Sequence, residues 1–427
     1  MQTLEQLRSG ALAGATSLRL AAGLRDFPRE IFDLADTLEV LDLGGNALDT
    51  LPDDLHRLTK LRILFASNNA FTELPAVLGQ CPSLTMIGFK ANRIRTVPAQ
   101  ALPQTLRWLI LTDNEIDALP AEIGHCTRLQ KLMLAGNRLT TLPETLAACT
   151  ALELLRIAAN QLTALPDWLL AMPRLSWLAF AGNPFAVEPV LPASVATLAW
   201  NDLTLEATLG EGASGVISRA VRRDGTHLAV KVFKGAVTSD GLPHSEMMAC
   251  LAAGRHPNLI PVLGRVTGHP DGREALAMDL IDPAFAPLAA PPSFATCTRD
   301  VYAEGLRFDE ETVRRIATGI ASAACQLHDR HLMHGDLYAH NILVAPDREP
   351  VIGDFGAASA YAGQGDALQR LEVRAFGCLL EELIGCCRTP LPDLTGLAAA
   401  CLDETPSARP LFEEIVTRLR RPDPRPI

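Results

Sequence analysis

Lysine and aromatic side chains are scarce in this sequence of 427 residues. Aromatic residues make up 5% of the chain, and only five of the 38 basic residues are lysines. The net charge of −11 at pH 7 leaves no excess of positive charge to bind a nucleic acid or an anionic membrane surface. We therefore expect neither as a partner. Because lysine is so rare here, a lysine within a chemical motif is informative.

Long apolar runs and cysteine motifs are also missing. No stretch reaches the roughly 18 apolar residues of a membrane span, and the first twenty residues do not resemble a secretory signal. The ten cysteines have neither zinc-site nor disulfide-framework spacing. Cys81, Cys126 and Cys149 each precede a repeated leucine by three residues, which predicts buried, reduced thiols. These absences favour a cytoplasmic protein.

A repeated asparagine organises the first half of the chain. It recurs every 22 or 23 residues and is surrounded by leucines at constant offsets, in the pattern L-x-x-L-x-L-x-x-N-x-L. A proline that follows leucine or valine recurs with the same period. The asparagines are Asn46, Asn69, Asn92, Asn114, Asn137, Asn160 and Asn183. Such self-similarity is the signature of a stacked repeat architecture.

Residues 15–195 resemble the leucine-rich-repeat family. That resemblance implies an α/β solenoid of about eight repeats over residues 1–197, with an atypical first copy. Leucines two apart on a short strand point to the same side, so they can form the core. The asparagine can bond the backbone where each strand ends, and the proline marks the return segment. One repeat cannot bury its own apolar face, so the copies must stack.

The strand positions that point away from this core carry large apolar side chains. A partner-binding surface is one interpretation, because exposed apolar patches usually mark interaction sites. The alternative is that these side chains only cover neighbouring strands. The positions are Phe65, Met86, Trp108, Ile110, Met133 and Trp177. We expect this concave face to bind either a protein partner or the second half of the same chain.

The second half contains an ordered set of short motifs. A glycine-rich segment, LGEGASGV, begins at Leu209, and LAVKVF and a helical-looking SEMMACLAA follow it. HLMHGDLYAHNILV, GDFG and CLDETPSARPLFEEIVTRL come next, in that order. Each motif alone is weak or moderate, but the order matches the protein kinase family. Residues 198–427 therefore resemble a protein kinase, which implies an α+β bilobal domain that uses ATP and Mg²⁺.

The resemblance assigns the nucleotide-binding roles. Gly210, Gly212 and Gly215 would let backbone N–H groups approach the phosphates closely. Lys231 would contact the α- and β-phosphates and be held by Glu246, although the spacing of 15 residues between these two is shorter than the family usually shows. Such a set neutralises the phosphate charge.

The resemblance also assigns the catalytic and metal-binding roles. Asp336 would accept the proton of the acceptor hydroxyl, as a general base. Asp354 and Asn341 would bind Mg²⁺. Met278 and Leu280 fall where the family places the hinge that binds adenine.

Four histidines crowd the same stretch of sequence, and they could suggest a metal site. They are His328, His331, His334 and His340. In the kinase interpretation His334 is the structural histidine of the catalytic loop, and His328 belongs to the end of a helix. We therefore do not expect these side chains to bind a metal ion.

Several features depart from the family pattern. Gly335 replaces the arginine that often pairs with a phosphorylated activation segment, so we expect no activation of that type. Tyr338 stands where a lysine is usual. The segment after Asp354 is short and has no A-P-E element, which leaves Arg409 without its usual partner. These gaps weaken the case for an ordinary peptide groove.

Three functions remain compatible with these patterns. The preferred one is an ATP-dependent protein kinase, with Ser/Thr preferred over Tyr as the acceptor, whose repeats bind a partner or substrate. An ATP-binding pseudokinase scaffold is disfavoured because the chain keeps all four of the polar residues that such scaffolds usually lose in part. These are Lys231, Asp336, Asn341 and Asp354. A kinase for a small molecule is the third, and the short activation segment favours it.

Overall fold

The computed structural model describes residues 2–193, 195–235, 237–346, 349–363 and 365–420. It contains two compact units, Met1–Met172 and Pro173–Ile427. This division precedes the predicted domain boundary at 197/198, because the repeat copy at residues 175–183 belongs to the second unit. Residues 421–427, which the predicted kinase domain includes, lie outside the described residues.

Seven three-residue strands form a parallel sheet in the first unit. Each strand pairs with the next one along the chain. The strands are β1 (Ser17–Arg19), β2 (Val40–Asp42), β3 (Ile63–Phe65), β4 (Met86–Gly88), β5 (Trp108–Ile110), β6 (Lys131–Met133) and β7 (Leu154–Arg156). Two short α-helices complete the unit, α1 (Leu4–Arg8) and α2 (Asp167–Leu170). The solenoid predicted for this part of the chain is confirmed.

The central residue of each strand lies in the core. Leu41, Leu64, Leu109 and Leu132 are fully buried, and the register places them side by side. Burying a leucine stabilises the fold by roughly 1.5–3 kcal/mol. Because each copy contributes several such residues, the core is continuous along the repeat axis.

The repeated asparagines bond the backbone of adjacent copies, as predicted. Asn137 Nδ2 donates to the carbonyl of Leu134 in its own copy and to that of Leu111 in the preceding copy, both at 2.9 Å. Its Oδ1 accepts from the N–H of Ile116 at 3.0 Å. Asn160 repeats this arrangement one copy later. These bonds satisfy backbone groups that a tight turn would otherwise leave buried without partners.

The return segments follow directly after the repeated prolines. Pro75, Pro98, Pro120 and Pro143 are extended and cap short 3₁₀ helices. Proline suits this position because it has no N–H to donate at a helix start. The 3₁₀ helices are Arg29–Leu34, Leu55–Arg57, Ala76–Gln80, Ala99–Ala101, Ala121–His125 and Glu144–Ala148.

The ten cysteines are all reduced in the structure. Cys81, Cys126 and Cys149 are buried, as predicted, and burial raises the pKa of Cys81 and Cys126 to about 11 and that of Cys149 to about 12. A thiol with so high a pKa stays protonated and unreactive at neutral pH. These side chains act as core fillers.

The predicted concave face is only partly accessible. Phe65, Trp108, Ile110 and Met133 are half-buried, whereas Met86 is 2% exposed. The Trp108 indole N–H donates to Met133 Sδ at 3.3 Å, and Lys131 Nζ lies 4.6 Å from the centroid of the Trp108 ring system. Trp108 therefore covers the neighbouring strand while keeping part of its surface open.

The second unit begins with one more repeat strand and continues into a six-stranded sheet. The repeat strand is β8 (Trp177–Ala179). The sheet runs in the order β10-β11-β12-β14-β13-β9, and all neighbours are antiparallel except β13 and β9. Its strands are β9 (Thr197–Ala199), β10 (Leu203–Glu211), β11 (Gly215–Arg222), β12 (His227–Phe233), β13 (Val262–Thr267) and β14 (Ala275–Met278), with helix α3 (Pro243–Ala253) between β12 and β13.

The remainder of this unit is mainly helical. Helices α4 and α5 are long and amphipathic, and they carry much of its buried apolar surface. The helices are α4 (Glu310–Asp329), α5 (Gly365–Gly385), α6 (Pro392–Cys401) and α7 (Phe412–Arg420). Short strands β15 (Ala286–Pro287), β17 (Ile342–Val344) and β18 (Val351–Ile352) form one small sheet, and β16 (Leu332–Met333) pairs with β19 (Ser359–Ala360). A mixed, mainly antiparallel sheet followed by helices gives the predicted α+β bilobal arrangement.

Candidate active site

A cleft of about 640 Å³ opens in the second unit. Residues from the glycine-rich segment, from β12 and α3, from the stretch after β14 and from residues 353–356 line it. Ala229, Val262 and Leu343 are among the apolar residues that line it. Ligand sites of this size are typically apolar with a few convergent polar groups.

The glycine-rich segment is the turn between β10 and β11. Gly212 and Gly215 line the cleft, whereas Gly210 does not. A Cβ on Gly215 would lie 2.6 Å from the carbonyl oxygen of Val232, so only glycine fits there. No atom lies within 4 Å of where a Cβ on Gly212 would point, which leaves that side of the turn open to a ligand.

Lys231 and Glu246 form an ion pair in the cleft wall. Lys231 lies on β12 and Glu246 on α3, and their side chains are 13% and 3% exposed. The shorter spacing between these two residues therefore does not prevent the pairing that the family resemblance implies. A buried pair of this kind fixes the ammonium group in one place.

The carboxylates around this ion pair outnumber its one ammonium group, which favours the binding of a further cation. Burial lowers the pKa of Lys231, but attraction to Glu246 and Asp354 outweighs it, so the pKa is raised overall. Burial and the proximity of Asp354 also raise the pKa of Glu246, despite the neighbouring lysine. For Glu246 burial is the largest cause, and repulsion from the Asp354 carboxylate adds to it. A bound divalent cation would compensate the excess negative charge.

Asp336 and Asn341 lie close to Asp354, which lines the cleft. Asn341 Nδ2 donates to Asp336 Oδ2 and to the Asp336 carbonyl oxygen, both at 2.9 Å. The Asn341 carbonyl oxygen accepts from the N–H of Gly353, the residue before Asp354, at 3.2 Å. Asp354 has φ of 57°, which is uncommon for a residue with a side chain.

These residues fit a magnesium site of the type that nucleotide phosphates complete. Because Asn341 Nδ2 donates to Asp336, its amide oxygen is the atom that can bind a cation beside the Asp354 carboxylate. Mg²⁺ prefers such oxygen ligands and usually takes only one or two from protein carboxylates. Within the described residues, no three His, Cys, Asp or Glu side chains are arranged to hold a metal by themselves, and the four histidines are no exception.

His334 and Glu372 hold the loop that carries Asp336. His334 Nδ1 accepts from the Asp336 N–H at 3.3 Å, so Nε2 is the nitrogen that donates to the Gly353 carbonyl oxygen at 3.0 Å. Glu372 accepts from the N–H groups of His334 and Gly335, at 3.2 and 2.6 Å. Burial raises the pKa of Glu372, but hydrogen bonds to His328 and the loop lower it overall. The glutamate is therefore an ionised anchor within the core.

His340 is held by a loop that no motif indicated. Asp300 accepts from the His340 N–H at 3.0 Å and contacts His340 Nδ1 at 2.8 Å. Burial lowers the pKa of His340, but Asp300, Asp336 and Asp354 together raise it. Asp300 lies in the irregular stretch between β15 and α4, where its sequence neighbours offered no signal.

The predicted hinge residues line the cleft. Met278 ends β14, and both Met278 and Leu280 border the cleft. The N–H of Asp279 donates to the carbonyl oxygen of Pro261 at 2.9 Å, which ties this stretch to the chain entering β13.

The segment after Asp354 is short and well anchored. Ser359 is 1% exposed and Tyr361 is 6% exposed. Tyr361 Oη lies 2.8 Å from His328 Nδ1, and Ser359 Oγ accepts from the N–H groups of Phe180 and Ala181 at 2.9 and 3.1 Å. Neither side chain is exposed to solvent. That activity needs no phosphorylation of this segment stays a prediction.

Family models match both halves of the chain. The model for "Protein kinase domain" matches residues 203–376. Models for the leucine-rich repeat match residues 37–58, 104–162 and 127–185. The chain contains leucine-rich repeats followed by a protein kinase domain. The recognition of both families from sequence is confirmed.

Several known proteins are similar in sequence to parts of the chain. A probable LRR receptor-like serine/threonine-protein kinase of Arabidopsis thaliana is 27% identical over 44% of this chain and 34% of its own length. Serine/threonine-protein kinase PknF of Mycobacterium tuberculosis is 30% identical over 36% of this chain and 32% of its own length. Leucine-rich repeat and calponin homology domain-containing protein 1 of Mus musculus is 31% identical over 30% of this chain and 18% of its own length. The chain thus spans about a third or less of these relatives.

Among solved structures, the LRR protein LIC12759 of Leptospira interrogans is similar, with 28% identity and a TM-score of 0.33. The similarity covers 38% of this chain and 47% of that one. Across the part of the chain that the structure describes, no helix is both long enough and apolar enough to cross a membrane.

One residue that anchors the Asp336 loop, Glu372, had a sequence signal outside the motifs. Glu372 is a lone acidic residue within the apolar stretch LEVRAFGCLL, and a buried charge in such a place usually has an anchoring role. Arg409 was left without a partner. In the structure its guanidinium group donates to three backbone carbonyls, those of Asp403, Arg370 and Pro173, at 2.8, 3.0 and 2.6 Å.

Proposed function

We propose that the kinase domain transfers the γ-phosphoryl group of ATP to a serine or threonine hydroxyl of a protein, with Mg²⁺ as cofactor. The observation that carries this proposal is the set of polar side chains around one cleft. Lys231 pairs with Glu246 beside Asp354. Asn341 bonds the Asp336 carboxylate and the N–H of Gly353, the residue before Asp354. Phosphoryl transfer needs charge neutralisation and positioning from a protein rather than covalent chemistry, and this set supplies both.

Each side chain has one task in this proposal. Lys231 binds phosphate oxygens, and Glu246 keeps its ammonium group in place. Asp354 and the amide oxygen of Asn341 hold Mg²⁺, which supplies positive charge to the transferring phosphoryl group. Asp336 orients the acceptor hydroxyl and accepts its proton, while the Asn341 amide fixes the direction of the Asp336 carboxylate.

The named relatives favour a Ser/Thr acceptor on a protein. Two of them are called serine/threonine-protein kinases.

The chain retains Lys231, Asp336, Asn341 and Asp354, and this set disfavours a pseudokinase scaffold. The short segment after Asp354 favours the second candidate, a kinase for a small molecule, because it offers little chain for a peptide groove. A cytoplasmic location remains part of the proposal.

Incubation of the purified chain with Mg-ATP and dephosphorylated casein, followed by mass spectrometry, tests this function. We expect phosphoserine or phosphothreonine on casein or on the chain itself, and no product when EDTA removes the metal. Nucleotide binding without any phosphorylated protein would instead support the scaffold. ADP formation that requires an added small-molecule alcohol would overturn the protein acceptor.

We also propose that the repeat array binds a protein partner or substrate through its concave face. Phe65, Trp108, Ile110 and Met133 carry this part of the proposal, because they share one face of the sheet and keep exposed surface. Tryptophan is enriched among residues that dominate binding energy at protein interfaces. Trp108 also packs against Lys131 and Met133 of β6, so the same side chain contributes to the stability of the sheet.

Replacing Trp108 with alanine should weaken partner binding more than folding. Truncating a dominant interface tryptophan to alanine typically reduces the binding free energy by roughly 2 kcal/mol or more, which is about a 30-fold loss of affinity. Trp168 on α2 follows the return-segment proline Pro166, so Trp168→Ala is the matched control. Binding of a partner identified by cross-linking would be measured by titration against wild type and both variants. Equal affinity of wild type and Trp108→Ala would contradict the proposal.

A further inference from the structure

The strand β8 and its flanks pack against the catalytic loop. The sequence marks residues 175–183 as a copy of the repeat, with Leu175, Leu178, Phe180 and Asn183 at the consensus positions. The structure places this copy in the same compact unit as the kinase cleft. Residues 173–183 are here called the β8 segment.

Trp177 is the central contact of this segment. It is 1% exposed, and its indole N–H donates to the carbonyl oxygen of Leu337 at 3.1 Å. Its ring lies parallel to that of Tyr338, with 4.2 Å between centroids and an interplanar angle of 7°. Leu337 and Tyr338 are the two residues that follow Asp336. From the sequence, Trp177 was expected to bind either a separate protein or the second half of the same chain. The structure instead buries it against this loop.

A glycine in the loop that carries Asp336 leaves room for the β8 segment. Gly335 has φ of 73°, a conformation that favours glycine. A Cβ at this position would lie 2.6 Å from the carbonyl oxygens of Leu178 and Ala357. The residue that occupies the usual arginine position is therefore glycine for a steric reason, since any side chain there would collide with β8.

Buried charged groups anchor the same segment. Arg374 of α5 donates to the carbonyl oxygen of Arg174 at 3.1 Å and to Ser176 Oγ at 2.8 Å. Arg409 is fully buried and donates to the carbonyl oxygen of Pro173. Releasing the segment would take these acceptors away from two buried guanidinium groups, which is costly. The anchoring therefore favours a permanent part of the site over a removable inhibitory cover.

We propose that Trp177 is a positioning residue for the kinase reaction. Its hydrogen bond fixes the Leu337 carbonyl and its ring fixes the Tyr338 side chain. Together these contacts hold the backbone that carries Asp336, so that Asn341 can direct its carboxylate. The other side of the loop is already held by Glu372 and Asn341. Tyr338 stands where a lysine is usual, and its aromatic ring provides the surface on which Trp177 stacks. This inference rests on the proposed kinase function.

Steady-state kinetics of full-length variants test the role of Trp177. Trp177→Ala removes both contacts, and Trp177→Phe keeps an aromatic ring while removing the donor to Leu337. We expect kcat to fall at least about tenfold in Trp177→Ala and less in Trp177→Phe, because small displacements of catalytic groups cost rate steeply. KM for ATP and thermal stabilisation by Mg-ATP should stay unchanged, since the Lys231 side of the cleft is intact. The probe reaction is phosphorylation of dephosphorylated casein.

A stability control separates positioning from general damage. Phe71 packs edge-on against Phe89 in the core of the array, at 4.9 Å between centroids, so Phe71→Leu weakens the fold away from the kinase loop. At a comparable loss of thermal stability, Phe71→Leu should keep the wild-type kcat. If kcat in Trp177→Ala stays within twofold of wild type, or rises, the proposal is wrong, and a rise would make the contact inhibitory.

Hydrogen exchange tests the inference even if the chain proves to have no kinase activity. Amide exchange in residues 335–341 should be faster in Trp177→Ala and Trp177→Phe than in wild type, while residues 210–216 of the glycine-rich turn keep their rates. An inactive wild type with this exchange pattern would overturn the proposed function and leave the contact's ordering role supported. Unchanged exchange in residues 335–341 of both variants would overturn the role of Trp177 itself.

Discussion

Replacement of Asp336 with asparagine should reduce phosphoryl transfer by about 10²- to 10⁴-fold, the range that general-base catalysis contributes. The asparagine keeps an oxygen that can accept from Asn341 Nδ2, so the loop geometry should survive. What is lost is the carboxylate that accepts the proton of the acceptor hydroxyl. Initial rates with Mg-ATP and casein measure the effect.

Mg-ATP binding should be almost unaffected by this change, because Asp336 acts on the acceptor and not on the nucleotide. Thermal stabilisation by Mg-ATP would confirm this in the same preparation. Asp329, an exposed residue at the end of α4, provides the matched control Asp329→Asn, which should transfer phosphate at the wild-type rate. Asp336→Asn with full activity would exclude Asp336 as the base.

Replacement of Lys231 with methionine should abolish stabilisation of the protein by Mg-ATP. In wild type, a ligand 100-fold above its dissociation constant stabilises the fold by about 2.7 kcal/mol. Lys231 is the ammonium group at the centre of the Glu246 and Asp354 charges, so its loss leaves the phosphates facing two carboxylates. Thermal unfolding with and without Mg-ATP measures the difference. Lys60→Met, at an exposed position of the array, should keep the full shift.

Lys231→Met should also destabilise the protein without ligand, because it leaves Glu246 buried and unpaired. Removing one member of a buried pair costs roughly 3–5 kcal/mol. The double variant Lys231→Met with Glu246→Gln removes the orphaned charge, so it should recover much of the stability and still fail to bind Mg-ATP. A normal shift with Mg-ATP in either variant would show that the nucleotide binds elsewhere.

The array could be predicted from sequence in unusual detail. In each copy the same backbone groups at the end of a strand need hydrogen-bond partners. The bonds of one asparagine, such as Asn137, therefore predict those of its equivalents in the other copies. Strand phase followed from the alternation of side chains along short strands. Accessibility of the concave face could not be predicted, because it depends on how far neighbouring side chains reach. Met86 is buried for that reason, although Trp108 on the next strand keeps open surface.

The motif residues of the kinase domain were also accessible to sequence reasoning. Phosphate and metal chemistry restrict which residue types can serve, so Lys231, Asp336, Asn341 and Asp354 stood out by type and order. Whether Glu246 could reach Lys231 across a shortened connection depended on the path of the chain before α3. The structure brings the two side chains together. Asp300 had no signal, since its role depends entirely on the fold of an irregular loop.

The sequence by itself therefore determined the repeat period, the solenoid, the kinase motif set and the chemistry of its polar groups, because all of these depend on residue type and local spacing. Only the tertiary structure decided where the last repeat lies. Trp177 and Leu337 are far apart in the chain, and no local pattern predicts which distant surfaces meet. The same contact explains Gly335, whose missing side chain makes room for β8, and Arg409, whose partners are backbone carbonyls. Carbonyl groups are common to all residues, so sequence gives no indication of which of them a buried arginine will reach.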